Sequence, residues 1–556
     1  MDGNELIARI LRREGVAWLA CFPNNPLIEA AAKVGIRPIA FRHERGAVMA
    51  ADGFSRVSGR RRFGVVAVQS QAGAENALGG VAQAYADNIP ILVLPGGPGH
   101  SELSVRPNYS AVRNYQGVTK SLEAVHRPED IVAIMRRAFN ALRNGPAGPV
   151  VVELTADVCR QPVPDGAEES YKPPVQARQA PDPEAVIAAV DALLGAKRPL
   201  LWAGGGVLAA GATEELRQLA ELTGTPVFTT MQGKSAFDER HPLSVGAGGM
   251  TATGPAAQWL KSCDVLIAIG SSLTRTPYGQ RVPGGAFLVH NTDNPSEIGK
   301  DEHVDLPLPG DALLTLAALV AEVRGRLDPA GNPAGRDADA DVAAEVAAAH
   351  AEWNQTWAAA LHGDEEPLGY YRIIHELNEL LDHDGSIVTH DAGAPRDCMV
   401  PFYRATTPHS YVGWGKTTHL GFGIPLVIGA KLAHPDRFCL NMMGDGAFGM
   451  SGLDIETAVR AKVPITTIVL NNGAMATYPI GSAMDPVTAR TEFGVTTMTG
   501  DYAKIAEGLG AVGLTIRTPA ELRAGIESAK AHNAAGRCVL LDVHANAETR
   551  RSPNAP

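Results

Sequence analysis

Residues 437–478 read RFCLNMMGDGAFGMSGLDIETAVRAKVPITTIVLNNGAMATY, and their pattern decides the fold. An apolar run, 437–442, leads into Gly444-Asp445-Gly446. A helix-length segment, 452–462, follows, and a second apolar run, 465–470, ends at Asn471-Asn472. Two β-rich runs around one amphipathic segment spell a βαβ unit with parallel strands. Asp445 and Asn472 then emerge at the carboxyl ends of those strands, the edge where open α/β sheets take ligands.

The same alternation extends towards the N-terminus. Strands are expected at 63–69, 91–94 and 150–154, with a helix over 124–143. Further strands are expected at 200–203, 227–229, 265–269 and 287–289, then at 386–389 and 538–543. Two stretches without apolar periodicity, 160–183 and 327–341, read as linkers rich in proline, glycine or acidic residues. The fold class is therefore α/β, with three doubly wound parallel-sheet domains at 1–165, 184–326 and 345–545.

The residue types around the two turns suit a hard cation. Magnesium takes oxygen ligands, commonly one or two carboxylates with phosphate and water. Asp445 offers a carboxylate and Asn472 an amide oxygen. Gly444 and Gly446 let the backbone approach a phosphate, and the N–H groups of the following Ala447 and Phe448 face the same space. Each piece alone is an ordinary turn; the pair, placed between two strands, is specific.

Composition narrows the class. The chain has 556 residues, 45% hydrophobic and 20% charged, with a net charge of −11. That charge excludes a general nucleic-acid or acidic-membrane binder, which needs a basic face. Arg60-Arg61-Arg62 follows Ser58-Gly59 and reads as a solvated loop. Six cysteines are scattered without a CxxC pair, which argues against sulfur ligation and a disulfide framework. No apolar run approaches the ~18 residues that span a bilayer. The opening Met-Asp-Gly-Asn-Glu lacks a basic region before an apolar core, so no secretory leader and a cytoplasmic location are expected.

A second constellation lies at 38–56, PIAFRHERGAVMAADGFSR, where a strand leads into His43-Glu44 and a helix. This string is similar to the RHE-x-G-A-x-x-x-A-D-G segment of thiamine-diphosphate enzymes of the decarboxylase and acetolactate-synthase group. GDG followed by an Asn pair resembles the same family's magnesium–diphosphate motif, with Asn472 lying 27 positions after Asp445. TTHLGFGIPLVIGAKLA at 417–433 resembles the segment before that motif, and KSAFDERHPL at 234–243 resembles the family's middle domain.

The resemblance implies roles for particular residues. The first domain would bind the aminopyrimidine, the last the diphosphate. Asp445, Asn472 and the backbone oxygen of Ala474 would hold magnesium. Leu420 would prop the cofactor into its bent shape, and Thr418 would offer its carbonyl to the 4′-amino group. Asp391 and Gly393 belong to the diphosphate side. Glu44 would bond N1′ of the pyrimidine, shifting the ring towards a form that can deprotonate the thiazolium carbon; burial tunes such a carboxyl. In the family, this glutamate meets the diphosphate domain of a neighbouring subunit. A homodimer or homotetramer with the site at the subunit interface is therefore implied.

The pocket departs from its relatives. Asn24 and Asn25 replace a Pro-Gly or His-Gly turn, and Ser70-Gln71-Ala72-Gly73-Ala74-Glu75-Asn76 replaces Ser-Gly-Pro-Gly-Ala-Thr-Asn. Gln71, Tyr109, Thr477 and Tyr478 are the other candidates to face a small-molecule substrate. Ala394-Pro395 stands where relatives carry Gln-His. The leading reading is an acetolactate-synthase-like lyase or carboligase. In it, a 2-oxo acid adds to the cofactor, loses CO₂, and passes an acyl carbanion to a carbonyl or a proton. The alternatives are a 2-hydroxyacyl-CoA lyase or oxalyl-CoA decarboxylase, a flavin oxidase with FAD near Gly204-Gly205-Gly206, or a non-catalytic family member.

Overall fold

A computed structural model describes residues 1–327, 341–475, 492–548 and 550–552. It contains three six-stranded sheets, every strand pair of which is parallel. Apolar strands buried on both faces and separated by helices build such sheets, because only flanking helices can cover them.

In the N-terminal sheet the spatial order is Arg37–Ala40, Trp18–Cys21, Gly64–Val68, Ile91–Gly97, Val150–Thr155, Ser121–Ala124. The C-terminal sheet repeats that topology with Tyr411–Val412, Ser386–His390, Phe438–Gly444, Thr466–Asn471, Val539–His544 and Val512–Ile516. The central sheet runs Leu306–Pro307, Phe287–His290, Val265–Ile269, Pro199–Ala203, Val227–Thr230, Ser244–Gly248, so its order reverses beside its first strand. In each sheet this reversal opens a crevice at the carboxyl ends.

Two sequence expectations are corrected. The stretch 124–143 is not one helix: Ser121–Ala124 pairs with Val150–Thr155, and the helix starts at Ile131. Pro128 lacks an N–H and holds Arg127 extended (φ −146°), so the helix cannot reach further back. The segment after Asp445 is two short helices, Asp445–Ser451 and Asp454–Arg460, rather than one over 452–462.

The outer units share one apolar core. Ala47, Val48, Ala51 and Phe54 of the helix Glu44–Arg56 pack with Ile424, Leu426, Val427 and Ala430 of the helix Gly423–Ala433. Small residues let the helices close: a Cβ on Gly429 would lie 1.9 Å from the Ala50 carbonyl oxygen. The central unit is tied to the C-terminal one by the fully buried Lys234, paired with Glu239, whose other oxygen accepts from the Ala405 N–H at 2.8 Å.

Candidate active site

The buried strand Phe438–Gly444 delivers Asp445 to the open edge of the C-terminal sheet. Its Oδ1 accepts from the Gly446 N–H at 2.7 Å and its Oδ2 from the Gly473 N–H at 2.9 Å. One carboxylate thus ties the GDG turn to the Asn-Asn-Gly turn. Gly473, at φ +66°, makes the second turn possible. Burial pushes the Asp445 carboxyl above the ordinary aspartate range, against the pull of its backbone donors. Asn472 turns its Oδ1 to the Ala474 N–H at 2.9 Å and donates from Nδ2 to Tyr370 Oη at 2.8 Å.

This donor set fits magnesium in a particular way. Among the described residues no group of three His, Cys, Asp or Glu could hold a metal ion. A cation at these turns would meet one carboxylate and neutral oxygens, so phosphate must supply the remaining charge. In front of Gly444 a Cβ would meet nothing within 4 Å, which leaves room for such a ligand. Ala447 and Phe448 are buried behind the turn, Phe448 edge-on to Tyr502 at 5.0 Å.

Asp391 is fully buried at the next strand end. Its Oδ1 accepts from the Ala392 and Gly421 N–H groups (2.8 and 3.0 Å), its Oδ2 from the Gly423 N–H (2.8 Å). Burial pushes its carboxyl up to about 6, outweighing those three donors. Gly393 takes φ +83°, ψ −143°, which a side chain would obstruct. Leu420, partly buried, packs against the shared core between Thr418 and Gly421.

Glu44 begins its helix and is 3% exposed. His43 caps the helix, its Nδ1 accepting from the Arg45 N–H at 3.1 Å. Asn76 Nδ2 donates to Glu44 Oε2 at 3.0 Å. Asn76 stood in the quoted Ser70–Asn76 segment but received no role from sequence; its amide type was the available signal. The start of this helix also touches the element following Asp445: the Arg42 N–H donates to Asp454 Oδ1 at 3.0 Å, and Arg45 Nη2 to the Met450 carbonyl at 2.7 Å.

The structure gathers part of the expected substrate set. Asn24, at φ +74°, donates to Gln69 Oε1 at 3.2 Å. Gln71, at φ +57°, bonds Asn108 and accepts from the Tyr109 N–H at 2.9 Å. Asn25 instead serves the fold: buried, it caps the helix Pro26–Lys33 and donates to the Val68 and Leu94 carbonyls. Thr477 and Tyr478 lie outside the described residues.

Comparison with known proteins bears on this geometry. Three family models match in order: the N-terminal TPP binding domain of thiamine pyrophosphate enzymes at 1–125, their central domain at 186–319, and their C-terminal TPP binding domain at 391–543. A probable acetolactate synthase large subunit of Methanocaldococcus jannaschii is 30% identical, over 98% of this chain and 92% of its own length.

The chain belongs to the thiamine-diphosphate enzymes of the acetolactate-synthase group. An acetolactate synthase of Mycobacterium bovis is 29% identical over 96% of this chain and 86% of its own. Escherichia coli acetolactate synthase isozyme 3 large subunit is 28% identical over 98% and 94%. The chain is accordingly a thiamine-diphosphate-dependent enzyme of the carboligase and decarboxylase type. The CoA-lyase, oxidase and non-catalytic readings are not favoured. No helix among the described residues is long and apolar enough to cross a membrane.

Proposed function

We propose that the chain is a magnesium-dependent carboligase or decarboxylase acting on a small 2-oxo acid. The observation that carries this reading is the Asp445 carboxylate bridging the Gly446 and Gly473 N–H groups at an open sheet edge. Bound thiamine diphosphate supplies a nucleophilic carbon and an electron sink for the bond that breaks beside the carbonyl. Asp445, Asn472 and the Ala474 carbonyl would hold the magnesium. Gly444, Gly446, Ala447, Phe448, Asp391 and Gly393 would form the diphosphate side of the site. Glu44 would meet the pyrimidine with its carboxyl; Asn76 donates to one oxygen and leaves the other for that contact. Asn24, Gln71 and Tyr109 offer neutral polar groups to the substrate. The test is turnover with a panel of 2-oxo acids, reading CO₂ release and products by NMR; no turnover with any of them refutes the reading.

The active enzyme is a homodimer or homotetramer whose site joins Glu44 of one subunit to Asp445 of another. Exposed apolar side chains on both outer units support this: Leu103 and Val105 on one, Met450 and Leu453 on the other. Six unpaired cysteines fit a cytoplasmic location.

A second cofactor, FAD, fits the central unit. A crevice lies at the reversal point of that sheet, lined by Gly204, Gly206 and Gly270. A Cβ on Gly204 or Gly206 would strike the Gly270 backbone, so the turns close without side chains. Flavin absorbance in the purified protein tests it.

A further inference from the structure

The helix Ala72–Ala86 of the N-terminal unit, with its C-cap Asp87, runs beside residues 415–419 of the C-terminal unit. Gly79, Gln83 and Asp87 stand four residues apart and so share one side of it. Asp87 accepts from the Gly415 and Lys416 N–H groups, each at 3.0 Å. Gln83 Oε1 accepts from Thr417 Oγ1 at 2.7 Å and from the His419 N–H at 3.3 Å. Gly79 makes room for the next residue: a Cβ there would be 2.8 Å from His419 Cε1.

Thr418 lies between the two residues that Gln83 holds. It sits at φ +53°, a left-handed backbone that a β-branched residue rarely adopts. Its carbonyl accepts no hydrogen bond among the described residues. The Gln83 amide cannot be reversed, because the His419 N–H only donates and must meet the oxygen. Gln83 is 1% exposed, and its Nε2 is buried without a partner. The oxygen of this amide therefore carries its hydrogen bonds among the described residues.

We infer that Gln83 is a positioning residue for the cofactor. By gripping Thr417 and His419 it holds Thr418 in the left-handed conformation and keeps the free Thr418 carbonyl directed at the aminopyrimidine. The inference rests on the thiamine-diphosphate reading above. Asp87 secures the other end of the segment, itself held by Arg56 Nη2 at 2.8 Å.

The test is calorimetric titration of the full chain with thiamine diphosphate at saturating magnesium. Gln83→Leu removes both bonds and should weaken binding about 10-fold. Thr417→Val removes one donor, leaves the helix untouched, and should weaken it about 3-fold. Adding Thr418→Gly to Gln83→Leu should return the affinity to within about 3-fold of wild type, since glycine takes positive φ freely. A merely structural defect would not be repaired by deleting a further side chain. Unchanged affinity in both Gln83→Leu and Thr417→Val, or no recovery with Thr418→Gly, overturns the inference. A wild-type chain that binds no thiamine diphosphate refutes the cofactor reading instead.

Discussion

A β-carbon on Gly53 would stand 2.2 Å from the carbonyl oxygen of Leu426. The helices Glu44–Arg56 and Gly423–Ala433 therefore cross with backbone against backbone. Backbone atoms cannot swing aside as a side chain can. Gly53→Ala should cost on the order of 2–3 kcal/mol. The drop in urea midpoint measures it, and an unchanged midpoint would show that the crossing opens easily.

Glu44→Gln keeps the shape and replaces the acid. Turnover should fall by a factor of about 10² or more, the usual share of a general acid–base group. Thiamine diphosphate should still bind within a few-fold of wild type by calorimetry. Full activity in the variant would remove Glu44 from the mechanism.

Removing the metal site separates binding from chemistry. Asp445→Ala deletes the carboxylate and releases the Gly473 N–H, so magnesium-dependent cofactor binding should disappear. Chelating magnesium from the wild-type chain should do the same, reversibly. Calorimetric binding that persists in the variant contradicts the assignment.

Shared sites can be shown by mixing two dead chains. Glu44→Gln and Asp445→Ala subunits, dissociated and reassembled together, place both defects in one site of each mixed dimer and leave the other intact. About 25% of wild-type activity should return for random pairing. No recovery would mean that each chain builds its site alone.

Asp454 provides a pH test of stability. Burial pushes its carboxyl up to about 6, with the Arg42 N–H and Thr457 Oγ1 donors opposing. A carboxyl raised above its unfolded value of ~4 holds its proton more tightly when folded. Its stabilisation is complete below that value and is lost as pH rises through about 6. Asp454→Asn keeps one oxygen for both donors and has no proton to lose. The cofactor-free variant should gain on the order of 2 kcal/mol relative to wild type between pH 4 and 7.5. Parallel curves in urea unfolding would refute it.

The strands that carry the site were legible because their apolar runs are short and end in glycine or asparagine, as at Gly444 and Asn471. The edge strands Tyr411–Val412 and Leu306–Pro307 were not: two residues carry no periodicity, and neighbouring strands define them. Glu44, Asp445 and Asn472 stood out through their spacing and motif context. Gln83 did not, because an amide inside a helix has no local signature. Only the approach of residues 415–419, more than 300 positions away, gives it partners. Asn25 was ambiguous for a similar reason, since a cap and a pocket lining use the same residue type.

The bond between Asp445 and the Gly473 N–H joins the two turns within the chain itself. One carboxylate therefore clasps both turns, so a change that frees either one loosens the other with it.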